Sequence, residues 1–116
     1  MMKRALLIAL VGTALSSPVL AQECGEPPLK GPSIPNGATA DADDMRIARD
    51  GLLGFSKKVD SYLACMDQQG GKLLPYMTKE QQTRWDEDLN SVHNNRRDLQ
   101  VKFNETIRAY RRAQQG

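Results

Sequence analysis

The side chains able to do covalent or acid–base chemistry in this chain are few: two cysteines, Cys24 and Cys65, and one histidine, His93. Two thiols in an oxidising compartment are expected to join as a disulfide, with an intermolecular pair or two free thiols as the alternatives. A single imidazole supplies neither a Ser-His-acid relay nor a multi-histidine metal site. His93 follows Val92 on a helical pattern and reads as a flank residue. The acidic cluster Asp41, Asp43 and Asp44 lacks the calcium-loop pattern, because Met45 and Arg46 stand where a ligand and the turn glycine are needed. Gly70-Gly71 lacks the flanking strand and Lys-Ser/Thr of a phosphate loop. The other carboxylates alternate with basic residues on helix faces, the pattern of a solvated surface and not of a paired acid and base. The sequon Asn104-Glu105-Thr106 lies within a helical stretch and is set aside. The chain is therefore expected to have no catalytic residues, no cofactor and no metal, and not to be an enzyme.

The compartment follows from the first residues. Lys3 and Arg4 precede an apolar run, Ala5 to Leu15, and Val19 and Ala21 stand at −3 and −1 of a cleavage point before Gln22. This three-part layout is a secretory signal peptide, residues 1–21, cleaved after Ala21. The run is too short to span a bilayer, which takes about 20 apolar residues. The expected product is periplasmic or secreted, with no required membrane contact. Lys3 and Arg4 leave with the signal, so 16 basic residues against 14 acidic become 14 against 14. A nucleic-acid partner loses its electrostatic support.

What remains must position the two cysteines. Residues 22–38 hold Pro27, Pro28, Pro32 and Pro35, with Gly25, Gly31 and Gly37 between them. That composition predicts an extended, polyproline-like segment, with Leu29 and Ile34 resting on an apolar surface. Residues 39–116 predict a helical hairpin. Met45, Ala48, Leu52, Phe55, Val59, Tyr62 and Met66 alternate by three and four, an apolar seam on a first helix of about 40–69. It starts at Thr39 or Asp41 and stops at Gly70-Gly71. Gly51 and Gly54 within it mark a bend or a close approach. Lys72 to Met77 is an apolar connection expected to fold over the hairpin end near Trp85. Thr78-Lys79-Glu80-Gln81 is a capping box opening a second helix of about 78–112. Its seam is Trp85, Leu89, Val92, Arg96, Leu99, Phe103, Thr106 and Tyr110.

The short connection makes the helices antiparallel neighbours. Folding at Gly70 to Tyr76 sets Val59 near Leu89, Phe55 near Val92, Ala48 near Leu99 and Met45 near Phe103. It also brings Asp41, Asp43 and Asp44 to Arg108, Arg111 and Arg112, and Lys57 and Lys58 to Asp86, Glu87 and Asp88. From Asp41 to Cys65 is about 36 Å of helix. The residues between Cys24 and Asp41 reach roughly 50 Å when extended, so the segment can run back and bond Cys65. The fold class is thus all-α: an antiparallel two-helix hairpin with an extended, Pro-rich, disulfide-tethered N-terminal segment.

Two resemblances accompany this reading. Cys24, Ile34-Pro35-Asn36-Gly37-Ala38, Tyr62-Leu63-Ala64-Cys65, Phe103-Asn104 and Arg108-Ala109-Tyr110 resemble small exported proteobacterial helical proteins of uncharacterised function. That likeness implies export and the cysteine pair. Met77-Thr78-Lys79-Glu80-Gln81 is similar to the Leu-Thr-x-x-Gln motif of periplasmic chaperones of the Spy and CpxP type. That likeness implies a dimerising helical hairpin acting as a chaperone or stress-sensing module. The expected function is protein–protein binding, to an envelope protein or to itself as a homo-oligomer. Because the second helix outruns the first, Ile107 and Tyr110 are the expected interaction surface.

Overall fold

A computed structural model describes residues 24–116. The expected signal peptide, residues 1–21, and its cleavage point lie outside them. Helix α1 spans Ala42–Leu73, a 3-10 turn spans Leu74–Tyr76, and helix α2 spans Lys79–Gln115. No strand occurs among the described residues, and the two helices pack together as a hairpin.

Both helices begin where side chains replace missing backbone partners. Asp41 Oδ1 accepts the Asp44 amide at 2.8 Å, and Asp44 Oδ2 accepts the Asp41 amide at 3.1 Å. This reciprocal box satisfies two end donors and puts acid at the positive end of the helix dipole. Thr39 is not the cap; its amide donates to Asn36 O at 3.2 Å in the preceding turn. At α2, Thr78 Oγ1 accepts the Gln81 amide at 3.1 Å, and Gln81 Oε1 accepts the Thr78 amide at 3.0 Å.

The expected stop at Gly70-Gly71 does not occur. α1 continues to Leu73, and among the described residues only Gly25 has positive φ. A glycine ends a helix when the chain needs a left-handed residue. Here Gly70 is instead buried, its α-carbon facing the Trp85 ring so closely that a Cβ would stand 3.3 Å from it. The connection covers less than expected. Leu73 and Leu74 are half-buried, but Tyr76 is 85% exposed. A three-residue 3-10 turn cannot aim every side chain inward.

The core is the predicted seam. Ala48, Leu52, Phe55, Val59, Tyr62 and Met66 of α1 are buried, and Met45 is half-buried. Val92, Phe103 and Thr106 of α2 are buried, while Trp85, Leu89, Arg96, Leu99 and Tyr110 are half-buried. Val59 and Val92 lose all contact with water, worth about 1.5–3 kcal/mol each.

The register differs from the predicted one. Gly70 faces Trp85, Arg96 reaches Ser56 O and the Asp60 carboxylate, and Leu99 shares a neighbour with Phe55 instead of Ala48. The cause is the longer α1, which moves the fold-back toward Met77 and displaces the seams by about one heptad. The predicted charge pairs across the hairpin do not form among the described residues. Asp43 pairs with Arg46 at 3.1 Å on its own helix, and Asp41 and Asp44 are engaged in the cap. Among the described residues the ion pair joining the helices is Arg96–Asp60.

Residues 24–41 make contacts to both helices. Cys24 is bonded to Cys65, with α-carbons 5.6 Å apart. Asn95 Nδ2 donates to Leu29 O at 2.7 Å, and Thr106 Oγ1 donates to Pro35 O at 3.5 Å. Pro32 lies on Gly51, while Gly54 faces open space. Gly31 sits against Leu99 and Phe55, and buried Gly37 sits against the Thr106 carbonyl and Ala109. Neither glycine leaves room for a Cβ, so absence of a side chain is what allows this approach. Ile34 packs against the core, but Leu29 is 48% exposed. At Leu29 it is the carbonyl that engages α2.

Two measurements check this packing. Gly37→Ala is expected to destabilise by about 1–3 kcal/mol in denaturant unfolding, because its methyl meets backbone that cannot swing away. Replacing both cysteines by serine opens a loop whose ends are 41 residues apart. Loop-closure entropy then gives an expected loss of about 4 kcal/mol by the same measurement.

Candidate interaction surface

The cysteine pair is a closed bond, and a hollow of about 460 Å³ lies beside it, lined by Glu26, Lys57, Lys58, Ser61 and Tyr62. Tyr62 is the buried titratable group there. Burial pushes its phenol above the usual tyrosine range, and the nearby Asp88 carboxylate adds to the shift. His93 is exposed, and among the described residues no group of three or more His, Cys, Asp or Glu is placed to hold a metal ion. Thr78 and Gln81, the residues of the chaperone-like motif, spend their side chains on the α2 cap.

Ile107 and Tyr110 lie at the open end of the hairpin. α2 has 37 residues against 32 in α1, and both side chains are half-buried. With Met45 and Phe103 they line an open hollow of about 350 Å³. Arg46, Arg49 and Arg111 stand on its border. Arg46 and Arg49 are paired with Asp43 and Asp50, at 3.1 and 3.2 Å, whereas Arg111 makes no ion pair among the described residues.

A second hollow, of about 750 Å³, lies at the turn end and was not anticipated from the sequence. Leu63, Met66, Trp85 and Leu89 give its apolar lining, and Asp67 and Asp86 border it. The sequence does hold a signal for it. Ala42, Arg49, Leu63 and Gly70 are spaced by multiples of seven on α1, as are Asp86, His93 and Ile107 on α2, so the two hollows share one side of the hairpin. Contacts from residues 24–41 fall on other series, Gly51 and Cys65 on α1, Asn95 and Ala109 on α2. One side of the hairpin is thus covered by the N-terminal segment and the other is bare.

No family model, curated protein or solved structure matches this chain. Among the described residues no helix is long and apolar enough to cross a membrane.

The Tyr62 environment has a consequence for alkaline stability. Its folded pKa lies above the unfolded value of about 10, so its contribution is full below that value and is lost as pH rises through the folded one. The denaturant midpoint is expected to fall above about pH 10, and Tyr62→Phe is expected to flatten that decline.

Proposed function

We propose that this chain is an exported, non-enzymatic protein that works by binding, to itself or to an envelope partner, through the bare side of its hairpin. The observation that carries this reading is the hollow around Ile107 and Tyr110. An apolar lining left half-covered on a small domain marks a contact site. Export is supported by the signal-like residues 1–21 and by a disulfide of the kind that persists in oxidising compartments. In this reading the helices are antiparallel and the Pro-rich segment is a tether whose role is structural. The contacts of Leu29, Gly31, Pro35 and Gly37 with α2 support that role.

Binding of this kind needs a surface that stays in place while a partner arrives. The two capping boxes and the disulfide fix the helix starts and the segment between them, so little ordering remains to oppose association.

The test is a double replacement, Ile107→Asp with Tyr110→Asp, in the purified chain. It is expected to weaken self-association in sedimentation, or to abolish capture of the specific envelope partner by immobilised chain, while helical circular dichroism is retained. Association and capture that are unchanged would reject the reading.

A further inference from the structure

Charge is unevenly distributed along the bare side. At the open end the hollow is bordered by Arg46, Arg49 and Arg111; at the turn end it is bordered by Asp67 and Asp86. Between them lies Leu53, 58% exposed, in the same seven-residue series as Arg46 and Asp67. Arg111, Asp67 and Asp86 are all exposed and make no ion pairs among the described residues. The face is therefore apolar in its two end hollows and at Leu53 between them, basic at one end and acidic at the other.

Resting on the binding reading above, we propose that the occupant of this face is a second copy of the chain, with its helices running opposite to those of the first. Two arrangements bring two such faces together with two-fold symmetry. An axis along the helices stacks α1 on α2 of the other copy with like ends together. The unpaired Asp67 and Asp86 then meet and repel, and Arg111 meets only Arg46 and Arg49, which already hold Asp43 and Asp50, so it gains no free acidic partner. An axis across the helices stacks α1 on α1 and α2 on α2, head to tail. Arg111 then meets Asp86 of the second copy, and Arg46 meets Asp67.

The spacing fits this second arrangement on both helices. Arg46 and Asp67 lie ten and eleven residues either side of Ser56. Asp86 and Arg111 lie twelve and thirteen either side of Asp98. Ser56 and Asp98 stand at one level of the hairpin, since their neighbours Phe55 and Leu99 both border Gly31. One axis through that level therefore aligns both pairs, each about 15–20 Å from it. The charged groups nearest the axis, Arg96–Asp60 and Arg97–Asp98, are already paired within each copy, and Ser56 is uncharged. The area suffices. Two helices about 45 Å long and together about 20 Å wide offer on the order of 900 Å² per copy, near the 800 Å² of a standard stable interface. Opposed charges at both ends set the direction of pairing, and the apolar lining supplies most of the attraction.

The experiment is charge exchange read by sedimentation of the full purified chain, with circular dichroism and non-reducing mass confirming that each variant is folded and bridged. Arg111→Glu alone and Asp86→Arg alone each place like charges at both ends. Each is expected to weaken dimerisation about tenfold or more. An equimolar mixture of the two variants is expected to recover the parent's association, because both ends of the mixed dimer are then complementary. A parent chain monomeric at about 100 μM overturns the proposal, as do single variants that associate like the parent. A mixture that stays dissociated overturns the head-to-tail arrangement. Should these charge variants change nothing while the Ile107 and Tyr110 double replacement still abolishes association or partner capture, the binding reading stands and the second-copy inference fails. If neither set has an effect, both fail.

Discussion

A seam between only two helices is open along both of its edges, and everything else in this molecule answers to that constraint. The contact of α1 with α2 excludes water fully only at Val59 and Val92. On either side the seam residues would remain wet unless a third element approached. On one edge that element is the chain before α1, which comes close enough because glycine stands at positions 31 and 37. Its prolines donate no amides of their own, so the segment lies beside a helix with few backbone donors left unpartnered. The Cys24–Cys65 bond holds its far end, which shortens the excursions of the unfolded chain as well as fixing the folded one.

Polar residues inside the seam are tolerated because each has been given a partner. Thr106 is buried, and its hydroxyl donates to the Pro35 carbonyl. Arg96 occupies a seam position but extends its guanidinium to Ser56 O and the Asp60 carboxylate at the rim. Asp60 is largely exposed, so this pair contributes little net stability. Its structural effect is to join the helices at one level. Gly70 against Trp85 fixes a second level near the turn. Two such points suffice to define how one helix is placed along the other.

The two edges of the seam are consequently unlike. One is sealed by a covalently held segment; the other carries two open hollows lined by Met45, Phe103, Ile107 and Tyr110 at one end, and by Leu63, Met66, Trp85 and Leu89 at the other. Apolar surface of that kind has a free-energy cost in water, and association is the ordinary way to remove it. Among the described residues no group of three or more His, Cys, Asp or Glu is placed to hold a metal ion.

The sequence by itself determined what depends on local spacing. Both seams, the capping box at Thr78 and the identity of the disulfide partners follow from residue type and interval, because helix periodicity and end-capping act over a few residues; the reciprocal Asp41–Asp44 box emerged in the structure. The reach of a Pro-rich segment is likewise a matter of chain length. Only the tertiary structure decided the register, the role of Gly70 and the fate of Leu29 and Tyr76. A glycine pair at a helix end is compatible with stopping or continuing, and the choice fell to the Trp85 ring that packs on Gly70. Once α1 ran on to Leu73, the fold-back moved, and the acids at its start were engaged locally, Asp43 with Arg46 and Asp41 with Asp44 in the cap. The division between a covered and a bare side was decided the same way, since it depends on which edge the N-terminal segment takes, and that is a competition between whole surfaces that no local pattern encodes.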